Sequence, residues 1–372
     1  MRTVLVTGGH SGIGLVGAKT LAERYKCDLI LAGRNLERTE KGAQKLRTET
    51  GAQVRVLAMD LNSLQSVRDG AERLKAMLQV DGSRLHGILC NAGAQSNGPV
   101  QYSEDGYETT FAGNCLGHFL LVNLLLDSIE PHGRIVWTAS GTHDPALLDG
   151  KSVGKAIQPD ADVLANQGRD GKPISGGRRY ATSKLCTIMY AYELDRRLQQ
   201  AKTPIASIAY DPGFLPDTGM GQGAPAIFRS SLVKFLLSKF GMTLGEMPLS
   251  GEALAMLDDD PAYADCSGRY FHCKNGVLNE TRSSVVSYDQ KAAAKLWADS
   301  LRLVRLTARE QSAPLRWRDQ RSSRTHLSVT NGLLKTGRRI GTYPVSVSAL
   351  AICSQSRIKA APQLERVYHR LL

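Results

Sequence analysis

Apolar residues along the first three hundred positions occur in two alternating textures. Short, nearly unbroken apolar runs (Thr3–Thr7, Asp28–Ala32, Val54–Met59, Gly87–Cys90, Gly133–Trp137 and Ile205–Tyr210) predict strands buried on both faces. Longer stretches between them carry the helical spacing. Gly12–Tyr25 has Ile13, Val16, Leu21 and Tyr25 along one stripe, and Leu36–Thr50, Ser66–Leu78, Gly106–Asp127 and Ala181–Gln200 follow. Strand–helix alternation of this kind predicts an α/β fold, a Rossmann-type doubly wound parallel sheet with helices on both faces. Ligands of such sheets gather outside the carboxyl ends of the strands, which is where the residues discussed below fall.

Charge divides the chain unevenly. Gln311 to Leu372 holds eleven Lys/Arg and two Asp/Glu, a net of +9 out of +12, so residues 1–310 carry only +3. Residues 1–310 are read as one domain and 311–372 as a basic, flexible tail. The tail lacks aromatic interleaving and any nucleic-acid motif, so no nucleic-acid partner is expected. The apolar run Phe119–Leu126 is short of the ~20 residues that span a bilayer. The first strand is read as starting almost at Met1, so no leader peptide is expected. Seven scattered cysteines without a CxxC indicate neither a disulfide framework nor a metal site, and suit a reducing, cytoplasmic compartment.

The turn after the first strand reads Thr7-Gly8-Gly9-His10-Ser11-Gly12-Ile13-Gly14. Glycines let the backbone approach a pyrophosphate closely, and the helix that follows offers free N–H groups and a partial positive charge. Gly8, Ser11, Gly12, Ile13 and Gly14 are therefore candidate contacts for a dinucleotide. An acidic residue closing the second strand would hold a ribose 2′-hydroxyl. Here Ala32-Gly33-Arg34-Asn35 stands instead, with Arg38 one helical turn on, and the guanidinium fork suits a 2′-phosphate. NADP(H) is thus expected over NAD(H). Asp60 and Leu61, closing the third strand, are placed to contact the adenine.

Tyr180 and Lys184 stand four apart, on one face of a helix. A tyrosine titrating near ~10 is a poor acid or base at neutral pH unless a cation stabilises its phenolate, and Lys184 is placed to do so. Lys184 can also hold the nicotinamide ribose. Ser140, just beyond the strand that ends near Trp137, can hydrogen-bond a substrate oxygen beside Tyr180. Asn114 can tether a water that relays protons to Lys184. His118 reads as structural, and His10 as a loop histidine near the cofactor phosphates.

In this order the motifs resemble the short-chain dehydrogenase/reductase family over residues 1–305. They comprise TGxxxGIG at Thr7–Gly14, Cys90-Asn91-Ala92-Gly93 in place of NNAG, then Asn114, Ser140, Tyr180, Lys184 and Asp211-Pro212-Gly213. The resemblance implies Ser140, Tyr180 and Lys184 as the catalytic set with Asn114 as its fourth member. It also implies Asn91, Pro212 and Gly213 as cofactor contacts. Asp217 occupies the place where the family commonly has a carboxamide-touching threonine, and Thr218, which follows it, is the candidate nicotinamide contact. The stretch Asn114-Cys-Leu-Gly-His-Phe-Leu-Leu121 resembles the retinol dehydrogenase and protochlorophyllide reductase branch. The 40-residue interval from Ser140 to Tyr180 resembles the insertion of the protochlorophyllide reductases.

The expected activity is NADP(H)-dependent interconversion of a carbonyl and an alcohol. Reduction of a conjugated carbon–carbon bond and a non-catalytic NADP(H)-binding scaffold or redox sensor are the alternatives. Pro225–Phe240, with Ile227, Leu232, Phe235, Leu236 and Phe240 on an apolar flank, corresponds to the family's lid. It suits a lipophilic small-molecule substrate and allows peripheral contact with a membrane. Homo-oligomerisation is left open.

Overall fold

A computed structural model describes residues 2–169, 171–215 and 244–312. Thr218, the segment Pro225–Phe240 and the tail from residue 313 onward lie outside the described residues.

Eight strands form one sheet in the order β3-β2-β1-β4-β5-β6-β7-β8. They are β1 (Thr3–Thr7), β2 (Asp28–Gly33), β3 (Val54–Ala58), β4 (Leu85–Cys90), β5 (Ile129–Thr138), β6 (Ala206–Asp211), β7 (Tyr270–Lys274) and β8 (Val277–Thr281). β1 to β7 pair in parallel, and β8 closes one edge as an antiparallel hairpin partner of β7. The order reverses direction between β1 and β4, and the crevice at that switch point is where the glycine-rich turn sits.

Alternate residues of each central strand face opposite cores, as a two-residue period demands. Leu5, Ile30, Leu57, Ile88, Ile135 and Trp137 belong to one core. That core packs beneath α3 (Leu64–Asp81), α5 (Gly117–Leu125), α8 (Gly176–Gln200) and α10 (Gln290–Leu303). Val4, Val6, Leu29, Leu31, Leu89, Val136 and Ile208 belong to the other. It packs under α1 (Gly12–Glu23), α2 (Leu36–Thr50) and α9 (Met247–Asp259). Some buried polar atoms are answered locally. The Trp137 indole N–H donates to Ser207 Oγ at 3.1 Å, and that hydroxyl donates to the Ala191 carbonyl at 2.9 Å. Truncating Trp137 should therefore cost about 3–5 kcal/mol.

The expected helix over 106–127 is not one regular helix. A short α4 (Thr109–Phe111) runs into a π turn over Ala112–Leu116, then α5, then a 3₁₀ turn over Leu126–Ser128. As a unit, Thr109–Ser128 is long and apolar enough to cross a membrane, yet 89% of its apolar window is buried inside the fold. It is the central core helix of the first face. The interval between Ser140 and Tyr180 holds two short helices, α6 (Leu148–Val153) and α7 (Ala161–Ala165). Beyond residue 310, Ser312 is buried and donates to the Asn123 carbonyl at 2.8 Å, so the packed body runs at least that far.

Candidate active site

The turn after β1 has the geometry of a phosphate cradle. Gly8 (φ +66°) and Gly12 (φ +55°) take the left-handed conformation, and no atom lies within 4 Å of where a Gly12 side chain would begin. A Cβ on Gly14 would sit 2.4 Å from Asn91 Nδ2 and 2.6 Å from the Gly8 carbonyl oxygen, so a side chain there would force its neighbours to shift. Ser11 begins α1 without a side-chain capping bond, and the first turn carries no acidic residue. The leading N–H groups of α1 are thus presented to an anion rather than to a side chain.

The Thr7 hydroxyl fixes this turn to its neighbours. It donates to the Leu89 carbonyl at 3.1 Å and accepts the N–H groups of Asn91 and Ala92 at 2.9 and 3.0 Å. The Asn91 side chain donates to the Thr7 carbonyl at 3.0 Å, while its Oδ1 is buried with no hydrogen-bond partner. A buried acceptor of this kind fits a ribose hydroxyl, since such groups are rarely left unpaired.

Cations gather beside the cradle. His10, Ser11, Leu15, Arg38, Lys41, Gly42 and Lys45 line a cavity of about 390 Å³. Arg38, Lys41 and Lys45 recur at helical spacing on one face of α2, a pattern visible in the sequence that the reading above missed beyond Arg38. Arg34 projects into solvent from the end of β2, 3.9 Å from the Asp60 carboxylate, and is not among the residues lining the cavity. Asp60 caps its own turn, accepting the Asn62 N–H at 3.0 Å. The Leu61 carbonyl packs against Gly117, where a Cβ would lie 2.3 Å from it. Both residues line the path of the chain from β3 into α3. The cradle, the cationic cavity and the unanswered Asn91 acceptor together fit a 2′-phosphorylated dinucleotide.

The proton-handling residues converge at the carboxyl end of β5. Ser140 follows β5, and its Oγ accepts the Thr142 hydroxyl at 3.1 Å. It is also hydrogen-bonded to Tyr180, which stands near the start of α8 and is 6% exposed. Lys184, one turn later and buried, donates to the Thr138 carbonyl at 2.8 Å and lies 5.7 Å from the centre of the Tyr180 ring. Gly93 lets the chain pass close by: a Cβ there would sit 3.2 Å from Lys184 Nζ and 3.4 Å from Asn114 Oδ1.

The electrostatics correct one expectation. Burial pushes the Tyr180 phenol up to about 12; the Ser140 hydrogen bond opposes this and the Asp211 carboxylate adds to it. Burial also lowers the Lys184 ammonium to about 8, with Asp211 partly restoring it. Lys184 is thus not among the groups that set the phenol's shift, and desolvation holds the phenol above its ordinary value. Asp211, which sequence reasoning valued only as the first residue of the Asp-Pro-Gly motif, is a buried carboxylate in the middle of the site. It accepts the Gly213 N–H at 2.9 Å and the Tyr270 hydroxyl at 3.1 Å. Pro212 and Gly213 (φ +77°) then carry the chain past Gly245.

Asn114 lies in the π turn, whose widened backbone is frequent at functional sites. Its side chain is fully engaged: the amide donates to the Ala94 carbonyl at 2.9 Å and to Ser183 Oγ at 3.0 Å, and the carbonyl accepts the Ala94 N–H at 2.9 Å. It clamps the loop after β4 to α8. His118 is buried between Thr7 Oγ1 (2.9 Å) and the Asn114 carbonyl (3.3 Å), and burial lowers it to about 4, so it is neutral and structural as expected. Arg179, also missed, is buried beside Tyr180. Its guanidinium lies 3.2 Å from Glu108 and donates to the carbonyls of Ile174, Ser96 and Gly98 at 2.8, 3.4 and 3.3 Å.

A dinucleotide cradle at the switch point of a doubly wound sheet, with a serine, a phenol and an ammonium grouped beside it, defines a nicotinamide-dependent oxidoreductase. Residues 2–146 match the family described as short chain dehydrogenase. The chain is 31% identical over 323 residues to the chloroplastic protochlorophyllide reductase of Chlamydomonas reinhardtii, spanning 82% of this chain and 79% of that one. It is 32% identical over 320 residues to retinol dehydrogenase 13 of Homo sapiens, spanning 84% and 88%. Among solved structures, an uncharacterized protein from Mycobacterium paratuberculosis superposes with a TM-score of 0.60 at 27% identity, covering 82% of this chain and 94% of its own. A short chain dehydrogenase from Burkholderia cenocepacia in complex with NADP shares the fold, with a TM-score of 0.54 at 21% identity over 73% of this chain and 95% of its own. The chain belongs to the short-chain dehydrogenase/reductase family and is an oxidoreductase of that family.

Proposed function

We propose that the chain uses NADP(H) to interconvert a carbonyl and an alcohol on a lipophilic small molecule, with Tyr180 as the acid–base. The observation that carries this reading is the grouping of Ser140, Tyr180 and Lys184 around one buried point beside the cradle. When bound, the cofactor supplies or accepts the hydride. Ser140 holds the substrate oxygen in line with the phenol. In the reducing direction, Tyr180 gives its proton to that oxygen as negative charge develops there. A phenol near 12 remains protonated at neutral pH and can still donate to a more basic alkoxide. Lys184, charged at neutral pH, offers its ammonium to the nicotinamide ribose and offsets charge left on Tyr180. Gly8, Ser11, Gly12, Ile13 and Gly14 would hold the pyrophosphate, and Asn91 a ribose hydroxyl. Arg34, Arg38, Lys41 and Lys45 favour a 2′-phosphate over a hydroxyl, since each adds positive field at that end.

A lipophilic substrate is supported by relatives whose names specify retinol, protochlorophyllide and, at 31% identity over 309 residues, polyprenol. The test is oxidation of NADPH and NADH with all-trans-retinal and with protochlorophyllide. Turnover of retinal with NADPH, lost in Tyr180→Phe, is the expected result. Turnover of protochlorophyllide alone would transfer the reading to carbon–carbon reduction, and NADPH binding without turnover of either would leave a scaffold. A preference for NADH would remove the role given to the cations.

A further inference from the structure

The segment that presents Ser140 is latched from behind by a buried histidine that no catalytic step uses. His143 ends the 3₁₀ turn Gly141–His143 and is 1% exposed. Its own N–H closes the turn on the Ser140 carbonyl at 3.1 Å, and its ring Nδ1 meets the same oxygen at 2.7 Å. The other ring nitrogen, Nε2, faces the backbone N–H of Ser284 at 3.0 Å. A backbone N–H can only donate and a carbonyl can only accept, so the contacts dictate one state of the ring: neutral, with its proton on Nδ1. The ring packs against Tyr270 at a tilt of 58°, centroids 5.3 Å apart, and Tyr270 is itself anchored through its hydroxyl to Asp211. Burial lowers the imidazole's affinity for a second proton, while Ser140, Asp211 and Asp144 oppose the change.

The geometry points to His143 as a positioning residue for Ser140. It ties the serine's main chain to Ser284 in the C-terminal segment and so fixes Ser140 Oγ at hydrogen-bond distance from Tyr180. The inference rests on the reading of Ser140 and Tyr180 given above, and goes beyond it by naming what sets their alignment. A small displacement of an aligned group far outweighs the loss of one hydrogen bond; a shift of ~1 Å can cost on the order of 100-fold in rate. Asn at this position can place an amide N–H where Nδ1 stands and so keep the grip on the Ser140 carbonyl. Gln places its amide nearer the position of Nε2, keeps the contact with Ser284, and gives up the Ser140 carbonyl.

Two measurements test this. Long-range ¹H–¹⁵N NMR of the full chain, with ¹⁵N-labelled histidine, should find His143 neutral and protonated on Nδ1 from pH 6 to 8. An Nε2-protonated ring or an imidazolium would overturn the inference without reference to any substrate. The kinetic arm compares His143→Asn, His143→Gln and Ser140→Ala in NADPH-dependent reduction of all-trans-retinal. His143→Gln should lower kcat by about 10–100-fold, because Ser140 is no longer held in line with the Tyr180 phenol. Its KM for NADPH and its quenching of NADPH fluorescence should stay at wild-type values. His143→Asn should recover kcat to within about threefold, if the bond to the Ser140 carbonyl is what matters. Equal losses in the Asn and Gln variants, or a loss confined to thermal stability, would overturn the positioning role. Wild-type activity in Ser140→Ala would instead break the underlying reading of the site.

Discussion

At the carboxyl ends of β5 and β6, Tyr180, Lys184 and Asp211 lie buried beside the glycine cradle. At the amino ends of β4 and β5, Asp258, Asp259 and Arg134 lie comparably deep, with the partly buried His86 beside them. Both clusters contain strongly shifted groups. Burial pushes the Asp258 carboxyl up to about 7, with the neighbouring Asp259 adding to the rise and His86 and Arg134 opposing it. For His86, burial works against the charged form, but hydrogen bonds to Asp259 and Glu130 and the charge of Asp258 prevail and raise it. Most of the amino-end cluster is engaged by neighbours: His86 pairs with Glu130 at 2.6 Å, Asp259 takes Arg2 and the Cys27 thiol, and Arg134 donates to the carbonyls of Leu257 and Asp260, while the two Asp258 oxygens are sealed in the interior without a hydrogen-bond partner. It clasps the end of α9 to the strands. The carboxyl-end cluster instead adjoins open helix N–H groups, left-handed glycines and a cationic cavity. A shifted pKa therefore marks a reactive site only where donors nearby remain available to a ligand.

The contrast can be broken in four places. Tyr180→Phe should lower kcat by about 10²–10⁴-fold while leaving NADPH fluorescence quenching intact; near-normal turnover would remove proton transfer from the carboxyl end. Asp258→Asn should leave turnover unchanged and alter only stability. The folded Asp258 binds its proton more tightly than an unfolded aspartate at 3.8. Its contribution is thus fully present below pH ~4 and lost as pH rises through about 7; the raised His86 acts in the same sense. Asp259, held low by His86 and Cys27 despite its burial, loses its contribution only in acid. Urea midpoints at pH 5 and pH 8 should show the wild type weakening by about 2–4 kcal/mol and the Asn variant much less. Equal slopes would mean Asp258 is ionised in the fold.

Gly14→Ala should cost about 1–3 kcal/mol, read by thermal unfolding, because the new methyl drives Asn91 off the Thr7 carbonyl. NADPH affinity should fall with it. The smallest effect is expected for Lys41→Ala and Arg38→Ala, each weakening NADPH by about tenfold and NADH hardly at all, measured by fluorescence titration. Equal weakening of both cofactors would detach the cavity from the 2′-phosphate.

Much of this arrangement is legible in the chain. The central strands are continuous apolar runs, and Leu36–Thr50 has the bounds read from it because Asn35 caps its start and Gly51 (φ +69°) ends it. β7 and β8 escape notice because β8 is largely exposed and ends Asn-Glu-Thr, without alternation. The π turn at Asn114 has no periodic signal, since Gly113 and Gly117 read as ordinary helix positions. The motif residues of the site are visible as types and spacings, but Asp211, Arg179 and His143 become meaningful only when distant elements meet. The upward shift of Tyr180 is hidden in the chain for the same reason: a four-residue spacing reports proximity, whereas desolvation depends on everything packed around the helix.

Arg179 carries a consequence for anyone exchanging parts between relatives. It gathers carbonyls from the loop after β4 and from Ile174, and is balanced by Glu108 from an element earlier in the chain. A graft of the 141–179 insertion that brings a different residue opposite Glu108, or replaces Glu108 alone, strands a charge in the interior next to the phenol. Chimeras built to alter substrate choice should therefore transplant the two positions as a unit.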